Sequence, residues 1–300
     1  MSSAALSVAG TGLVHSIGGK EALAAIQQGQ APAISAPDIS SLAALLPGVS
    51  LRRIPRYARM ALLACVQALD AAGWRQKEVL HRAALVFGTA YSSSQMSMDF
   101  MDSILDNGPH LSSRPARSRS KGRLSGSDFV NNMGAGLLSL LLGIEGPCFT
   151  ISQFELSFAG AVSTAAALLG AGRAERVLLC AVDETDSRFS RCCPEYLSSE
   201  HPQTEGAVAL CLGREAAGAP SLRVWWGQQP EADGPVFASG AASRPGWTNH
   251  EYLYGHGPLA QALDVMLALN MPQTARAEAV NCVCAAAASG RQALIEVRGA

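Results

Sequence analysis

The chain has 300 residues, 48% hydrophobic, 6% aromatic and 16% charged, and its 23 Lys+Arg against 24 Asp+Glu give a formal net charge of −1. At roughly 100–200 residues per domain this is one large domain or two fused ones, too apolar for disorder and too neutral for nucleic acid or an anionic membrane to be the main partner. Residues 1–8 lack the charged start and long apolar core of a signal peptide, and every apolar window breaks before about eighteen residues, so a cytoplasmic protein without membrane insertion is expected.

Residues 6–14 alternate as a strand with two glycines, and 20–27 read as a short helix, a βα opening. Residues 56–72 place apolar side chains at i, i+3 and i+4 over four turns and stop at Gly73, which predicts a core-covering helix. A strand follows over 82–88. Residues 109–127 hold Pro109, Pro115 and the basic residues Arg114, Arg117, Arg119, Lys121 and Arg123, which predicts a loop. A helix over 129–142 is interrupted by Gly146 and Pro147, before a buried strand over 148–152 and an Ala-rich buried helix over 155–169. Strands are expected at 176–182, 205–213 and 222–226, with an Ala/Gly/Pro hinge at 216–220 that divides the chain into 1–215 and 216–300. The remainder predicts a helix over 251–269, broken at Gly255 and at Gly257–Pro258, and closing strands at 279–284 and 292–297. Alternating strands and helices argue an α/β layered fold, and no short internal repeat is present.

Eight cysteines occur, mostly within apolar runs, where Cys is a small core hydrophobe. None has CxxC spacing. Cys282 and Cys284 share one face of a strand but have no matching ligand cluster, so no metal is expected. Cys192 and Cys193 are read as unpaired thiols, because adjacent cysteines strain a mutual disulfide. Gly10 and Gly12 lack the third glycine and the distal acid of a dinucleotide site.

The run from Gly146 and Pro147 through Thr150 and Ile151 to Ser157 is a turn, a short strand, a sharp corner and a buried helix. It resembles the nucleophile elbow of the β-ketoacyl synthases, the condensing enzymes of the thiolase fold, whose Gly-Pro-x-x-Thr-Val-x-Thr-Ala-Cys-Ser-Ser pattern sets a Cys at the amino end of a helix. Backbone N–H groups and the helix dipole stabilise a thiolate there. The resemblance continues in register over about residues 6–213, through residues 8–14, 86–89, 129–132, Asp183–Glu184 and 205–207. Beyond these, Gly255–His256 is similar to the family's Gly-His helix start, and 281–290 to its Asn-Ser-Phe-Gly-Phe-Gly-Gly turn with most glycines lost. The implied fold is a thiolase-like layered α/β/α/β/α arrangement with an abbreviated C-terminal half.

Three departures bear on function. Glu155 stands where the family has its nucleophilic Cys, and a carboxylate cannot carry an acyl chain as a thioester. The first catalytic His has no counterpart, and the second is matched only by His256, so Glu155, His256 and Asn281 are vestigial positions. A synthase-like chain without its Cys resembles the chain-length factors of type II polyketide synthases, nearest those of aryl polyene and xanthomonadin-type clusters. Those factors carry Gln at the elbow; here Gln153 lies two positions before Glu155.

The resemblance implies a non-condensing subunit paired with an active ketosynthase in a heterodimer. The acyl chain would arrive on the phosphopantetheine of an acyl carrier protein, with no cofactor held by this chain. Phe154, Glu155, Phe158, Met96, Met98 and Met101 are candidates for acyl tunnel and interface, or for plain core. The basic residues 114–123 are a carrier-protein docking site or a solvated loop. Glu155 is read as a helix-start carboxylate or a decarboxylase determinant, His256 as a relic or a base, and Cys148 as packing or a surrogate nucleophile. Two further functions stay open: a malonyl-carrier-protein decarboxylase supplying starter units, and a stand-alone acyl or carrier-protein binding module.

Overall fold

The computed structural model describes residues 3–107, 132–186, 188, 203–227, 234–242, 244–255, 257–271, 279–286 and 289–299. The expected loop at 109–127 with its five basic residues, the Cys192–Cys193 pair and His256 lie outside the described residues. β1 (Leu6–His15) is followed by α1 (Lys20–Gln27), α2 (Leu42–Leu45), α3 (Arg56–Ala72), α4 (Lys77–His81), β2 (Ala84–Gly88) and α5 (Ser94–Asn107). α6 (Met133–Leu142), β3 (Cys148–Ile151), α7 (Ser157–Gly170), β4 (Val177–Asp183) and β5 (Gly206–Arg214) complete the N-terminal half. The C-terminal half holds β6 (Ser221–Trp226), β7 (Val236–Gly240), α8 (Glu251–Tyr254), α9 (Ala260–Asn270), β8 (Val280–Ala285) and β9 (Gln292–Arg298).

Among the described residues the strands run in the order β3-β2-β4-β5-β1-β6-β9-β8-β7. β2 is parallel to β3 and β4, while β5 is antiparallel to both β4 and β1. The other half repeats this plan with one parallel strand fewer: β7 is parallel to β8, and β9 is antiparallel to β8 and β6. Between β1 and β6 only Leu6–Leu222 and Ser7–Ser221 pair, so the two half-sheets meet at a narrow seam. The 216–220 segment is the turn between β5 and β6.

Three apolar clusters show the layering. α3 and α6 cover the outer face of the first half-sheet through Tyr57, Met60, Leu63 and Leu138. α7 and α9 lie between the half-sheets in a core shared by both, with Phe158, Val162, Leu263 and Met266 against β4, β6, β8 and β9. This is the mixed, layered arrangement of the thiolase fold, with the expected abbreviation of the C-terminal half. Among the described residues no helix packs on the outer face of the second half-sheet. Trp225, Trp247 and Val236 pack there on Ala238, Val283 and Leu294. The Arg223 and Arg244 guanidiniums sit 6.0 and 5.2 Å from the centroids of the Trp225 and Trp247 rings, so the apolar lid carries a charged outer surface.

His15, at the end of β1, is 2% exposed. Its Nδ1 accepts the Ile17 N–H at 3.3 Å, which requires the neutral ring with its proton on Nε2, and burial pushes its pKa down to about 3. The unfolded chain takes up this proton near pH 6.5 and the folded chain does not, so the contribution is complete above pH 6.5 and is lost as pH falls toward 3. It amounts to on the order of 5 kcal/mol at the acid end. The buried carboxyls of Asp183, Glu184 and Asp264 act with the opposite sign, because burial raises them to about 6, 7 and 6. The expected result is therefore a difference between variants: His15→Asn flattens the acid limb of stability, measured by denaturant titration at pH 4 and pH 7 against the parent chain.

Candidate functional site

The corner after β3 is built by two segments that hold one another. Gly146 lies so close to the Ala83 carbonyl that a β-carbon would overlap it, and this brings β3 flush against β2. After Ile151 the chain turns through Ser152 and Gln153 into a 3-10 turn, Phe154–Leu156, and then α7. The helix thus begins at Ser157 rather than at Glu155. Ser157 Oγ accepts the Gln153 N–H at 2.9 Å and lies 2.7 Å from Phe154 O and 3.0 Å from Thr89 O, to one of which it donates. Gly160 leaves room for Gln153: a β-carbon there would meet Gln153 Oε1 at 2.8 Å. Phe154 adopts φ +51°.

The facing loop, residues 89–93, folds around the Asp183 carboxylate at the end of β4. Asp183 Oδ1 accepts from Thr89 Oγ1 at 2.7 Å, Tyr91 N at 2.7 Å and Ser92 N at 3.2 Å, and Ala90 N lies 2.9 Å from Oδ2 and 3.0 Å from Oδ1. Glu184 Oε1 accepts the Gln95 N–H at 3.1 Å, where α5 begins. α5 is further pinned by Arg188, whose guanidinium reaches Asp186 (2.7 Å), Asp99 (2.9 Å) and Asp102 (2.6 Å). Those carboxylates raise the pKa of Arg188, which stays a permanent cation.

Glu155 is half-buried, and its carbonyl accepts from the Cys284 thiol at 3.5 Å, so the elbow rests on the inner face of β8. Burial pushes the Cys284 thiol up, and the Glu155, Glu251 and Asp264 carboxylates push it further. Burial also raises Cys148 on β3 and Cys282. None of these three thiols is placed to be a thiolate, and Cys148 as a surrogate nucleophile finds no support. Beside Cys284 lies a buried polar cluster from α8 and α9. Asp264 Oδ1 accepts from Tyr254 OH at 3.2 Å and lies 3.4 Å from His250 Nδ1. Gln261 Nε2 donates to Cys282 O and Ala293 O, both at 3.1 Å.

The structure separates the sequence candidates. Phe158 is 1% exposed in the shared core, whereas Phe154 is 47% exposed at the corner and packs edge-on against Tyr91, with ring centroids 6.1 Å apart. Met96 and Met98 are partly buried on α5, and Met101 is half-exposed. Asn281 sits on β8 facing away from the elbow, since Cys282 and Cys284 belong to the inner cluster while Val283 and Ala285 belong to the outer one. Cys282 and Cys284 do share one face, and among the described residues no group of three or more His, Cys, Asp or Glu could hold a metal. Sequence reasoning missed Asp183 as the loop's anchor and the His250–Tyr254–Asp264 cluster. Polar residues inside runs as apolar as 177–183 and 260–270 were the available signal, because buried polar groups need partners.

The family model described as "Beta-ketoacyl synthase, N-terminal domain" matches residues 19–195. No curated protein sequence matches the chain. Among solved structures, "The ishigamide ketosynthase/chain length factor" superposes with a TM-score of 0.71 at 18% identity, over 98% of this chain and 99% of that one. A type II polyketide synthase acyl carrier protein in complex with its ketosynthase bound to the hexaketide (AntDE:AntF) gives 0.74 at 16% identity, over 99% and 100%. The ketosynthase ApeO in complex with its chain length factor ApeC, from Xenorhabdus doucetiae, gives 0.62 at 15% identity, over 97% and 98%. At these identities the likeness is one of fold. Among the described residues no helix is long and apolar enough to cross a membrane.

Proposed function

The chain belongs to the β-ketoacyl synthase family, and we propose that within it this chain is a non-condensing subunit that pairs with an active ketosynthase and shapes the tunnel for the growing acyl chain. One observation carries the reading. The elbow is fully built and hydrogen-bonded, yet Glu155 stands where a nucleophile is required, and the buried Cys284 thiol beside it donates to the Glu155 carbonyl. The open edge of the sheet supports it. Among the described residues β3 pairs on one side only, and Cys148 and Phe149 are exposed on it, as is Leu140 on α6, an apolar strand edge that a second chain would cover. Solved complexes of the same fold contain a ketosynthase with a chain length factor, or with an acyl carrier protein. By this proposal the subunit works in the cytoplasm, in a type II polyketide pathway of the aryl polyene kind. The carrier protein docks through Arg114, Arg117, Arg119, Lys121 and Arg123.

The test is the solution mass of the protein alone and co-expressed with a complete ketosynthase. A one-to-one complex is expected, and within it Glu155→Ala should leave the condensation rate within about twofold, since the carboxylate touches no reacting atom. A homodimer that ignores the synthase, or condensation abolished by Glu155→Ala at normal complex yield, would sink the reading. Release of CO2 from malonyl carrier protein by the isolated chain would replace it with a decarboxylase.

A further inference from the structure

β4 ends in Asp183, and Glu184 follows it; the two residues are 2% and 3% exposed. Both carboxyls serve one loop. Asp183 accepts from Thr89 Oγ1 and from the N–H groups of Ala90, Tyr91 and Ser92, while Glu184 accepts the Gln95 N–H in the first turn of α5. Thr89 Oγ1 accepts the Ser92 N–H in its turn, at 2.7 Å, so a single carboxylate organises the whole bend. The loop leans on the elbow: Ser157 Oγ lies 3.0 Å from Thr89 O, and Ser152 Oγ donates to Ala90 O at 3.4 Å.

The conformation so held is costly. Ser92 has φ +56°, a left-handed backbone that strains a residue with a side chain, and its hydroxyl is buried with no hydrogen-bond partner among the described residues. Bonds to a charged acceptor, roughly twice as strong as neutral ones, offset that cost. Protonation removes the charge and weakens all of them together.

The burial that strengthens these bonds also penalises the charge, and it raises Asp183 to about 6 and Glu184 to about 7, above the carboxyls of an unfolded chain. The folded chain therefore takes up both protons at higher pH than the unfolded chain does. Acidification from pH 8 to pH 5.5 neutralises the two groups within the folded state and, through them, favours that state. The charges around them are settled. Glu205, beside Glu184, is paired with Arg56 at 2.6 Å, and the Tyr57 N–H also faces Glu184. Arg188 remains a cation on Asp186, Asp99 and Asp102, and His15, against Gly206, is neutral because burial pushes it down to about 3.

We propose that Asp183 and Glu184 form a pH-sensitive clamp on residues 89–95: ionised, they hold the loop and the start of α5 against the elbow, and neutral, they release it while the sheet stays folded. The clamp lies within this chain and does not depend on a partner.

The test is amide hydrogen exchange of the full chain at pH 8 and pH 5.5, with each rate divided by the intrinsic rate at that pH. Protection of Ala90, Tyr91, Ser92 and Gln95 should fall at least about tenfold on acidification, while that of β4 and β5 stays within about twofold. Asp183→Asn should give the low value at Ala90, Tyr91 and Ser92 at both pH values, and Glu184→Gln should do so at Gln95. Asp264→Asn removes another carboxyl that burial raises to about 6, in the other half, and should keep the full response. Equal protection of residues 89–95 at the two pH values, or a loss shared by β4 and β5, would overturn the proposal even if Asp183→Asn and Glu184→Gln failed to fold. So would a response that survives both of those substitutions or disappears in Asp264→Asn.

Discussion

Gly12→Val is expected to yield no folded protein. β1 lies directly on α3 with nothing between the two backbones: Gly10 and Gly12 face Ala64, Ala68 and Ala72, a stripe at four-residue spacing on one face of the helix. A β-carbon on Gly12 would overlap the Ala64 carbonyl and come within 3.0 Å of Ala68 N, and one on Gly10 would meet Ala72 N at 2.6 Å. Neither neighbour can rotate away, because both are backbone. The Leu13 N–H donates to Gln67 Oε1 at 3.0 Å, which ties the same helix turn to the same strand. Relief requires lifting α3 off β1 and β5, which exposes Ala61, Leu62, Cys65 and Leu69. Overpacking in adaptable cores costs about 1–3 kcal/mol, and here both walls are rigid, so the loss is expected to exceed that range and rival total stability of roughly 5–15 kcal/mol. The control is Gly136→Ala, inside α6 with nothing within 4 Å of an added β-carbon. It should stabilise by about 0.5–1 kcal/mol through helix propensity. Soluble yield and urea midpoints check both.

These glycines also show what was legible in the sequence. Two glycines in an alternating strand, followed by an alanine-striped helix, announce the opening unit, and β1, α1 and α3 fall where the apolar period places them. β2, β4, β5, β8 and β9 are legible for the same reason, since strands buried on both faces read as apolar runs. β7 is not: Val236 to Gly240 holds two large apolar residues after Pro235, and it is a strand because β8 supplies its hydrogen bonds. α5 is hidden by its Ser and Asp content, which favours caps and turns. Tertiary ion pairs from Arg188 to Asp99 and Asp102 fasten it to the segment after β4. The elbow was legible as a pattern running from Gly146 to Gly160. Its positive φ was not, because the Phe154 corner closes on Ser157 and Thr89 and its ring meets Tyr91, on a loop more than sixty residues earlier in the chain, contacts no local period encodes. The same reason hides the outer face of the second half-sheet, where Trp225 and Trp247 fold over the strands.

Phe158→Ala should cost about 3–5 kcal/mol and lower the thermal midpoint by roughly 5–8 °C. Phe158 is the largest side chain that α7 sends into the shared core, 1% exposed, with Ala159, Ala161 and Val162 around it too small to close the gap. α7 touches both half-sheets, so the cavity would open where β4, β6 and β9 converge on one helix. Phe154→Ala removes the same ring four residues earlier and should change stability by less than about 1 kcal/mol, since the lost edge-on contact with Tyr91 is half in solvent. Thermal melts of the isolated chain separate the two directly. The pair of results then sorts the aromatic residues of the elbow by role. A ring whose loss unfolds the layers belongs to the scaffold. A ring whose loss leaves them intact belongs to the surface of the corner. If both substitutions proved equally destabilising, the Phe154 ring would be part of the core after all.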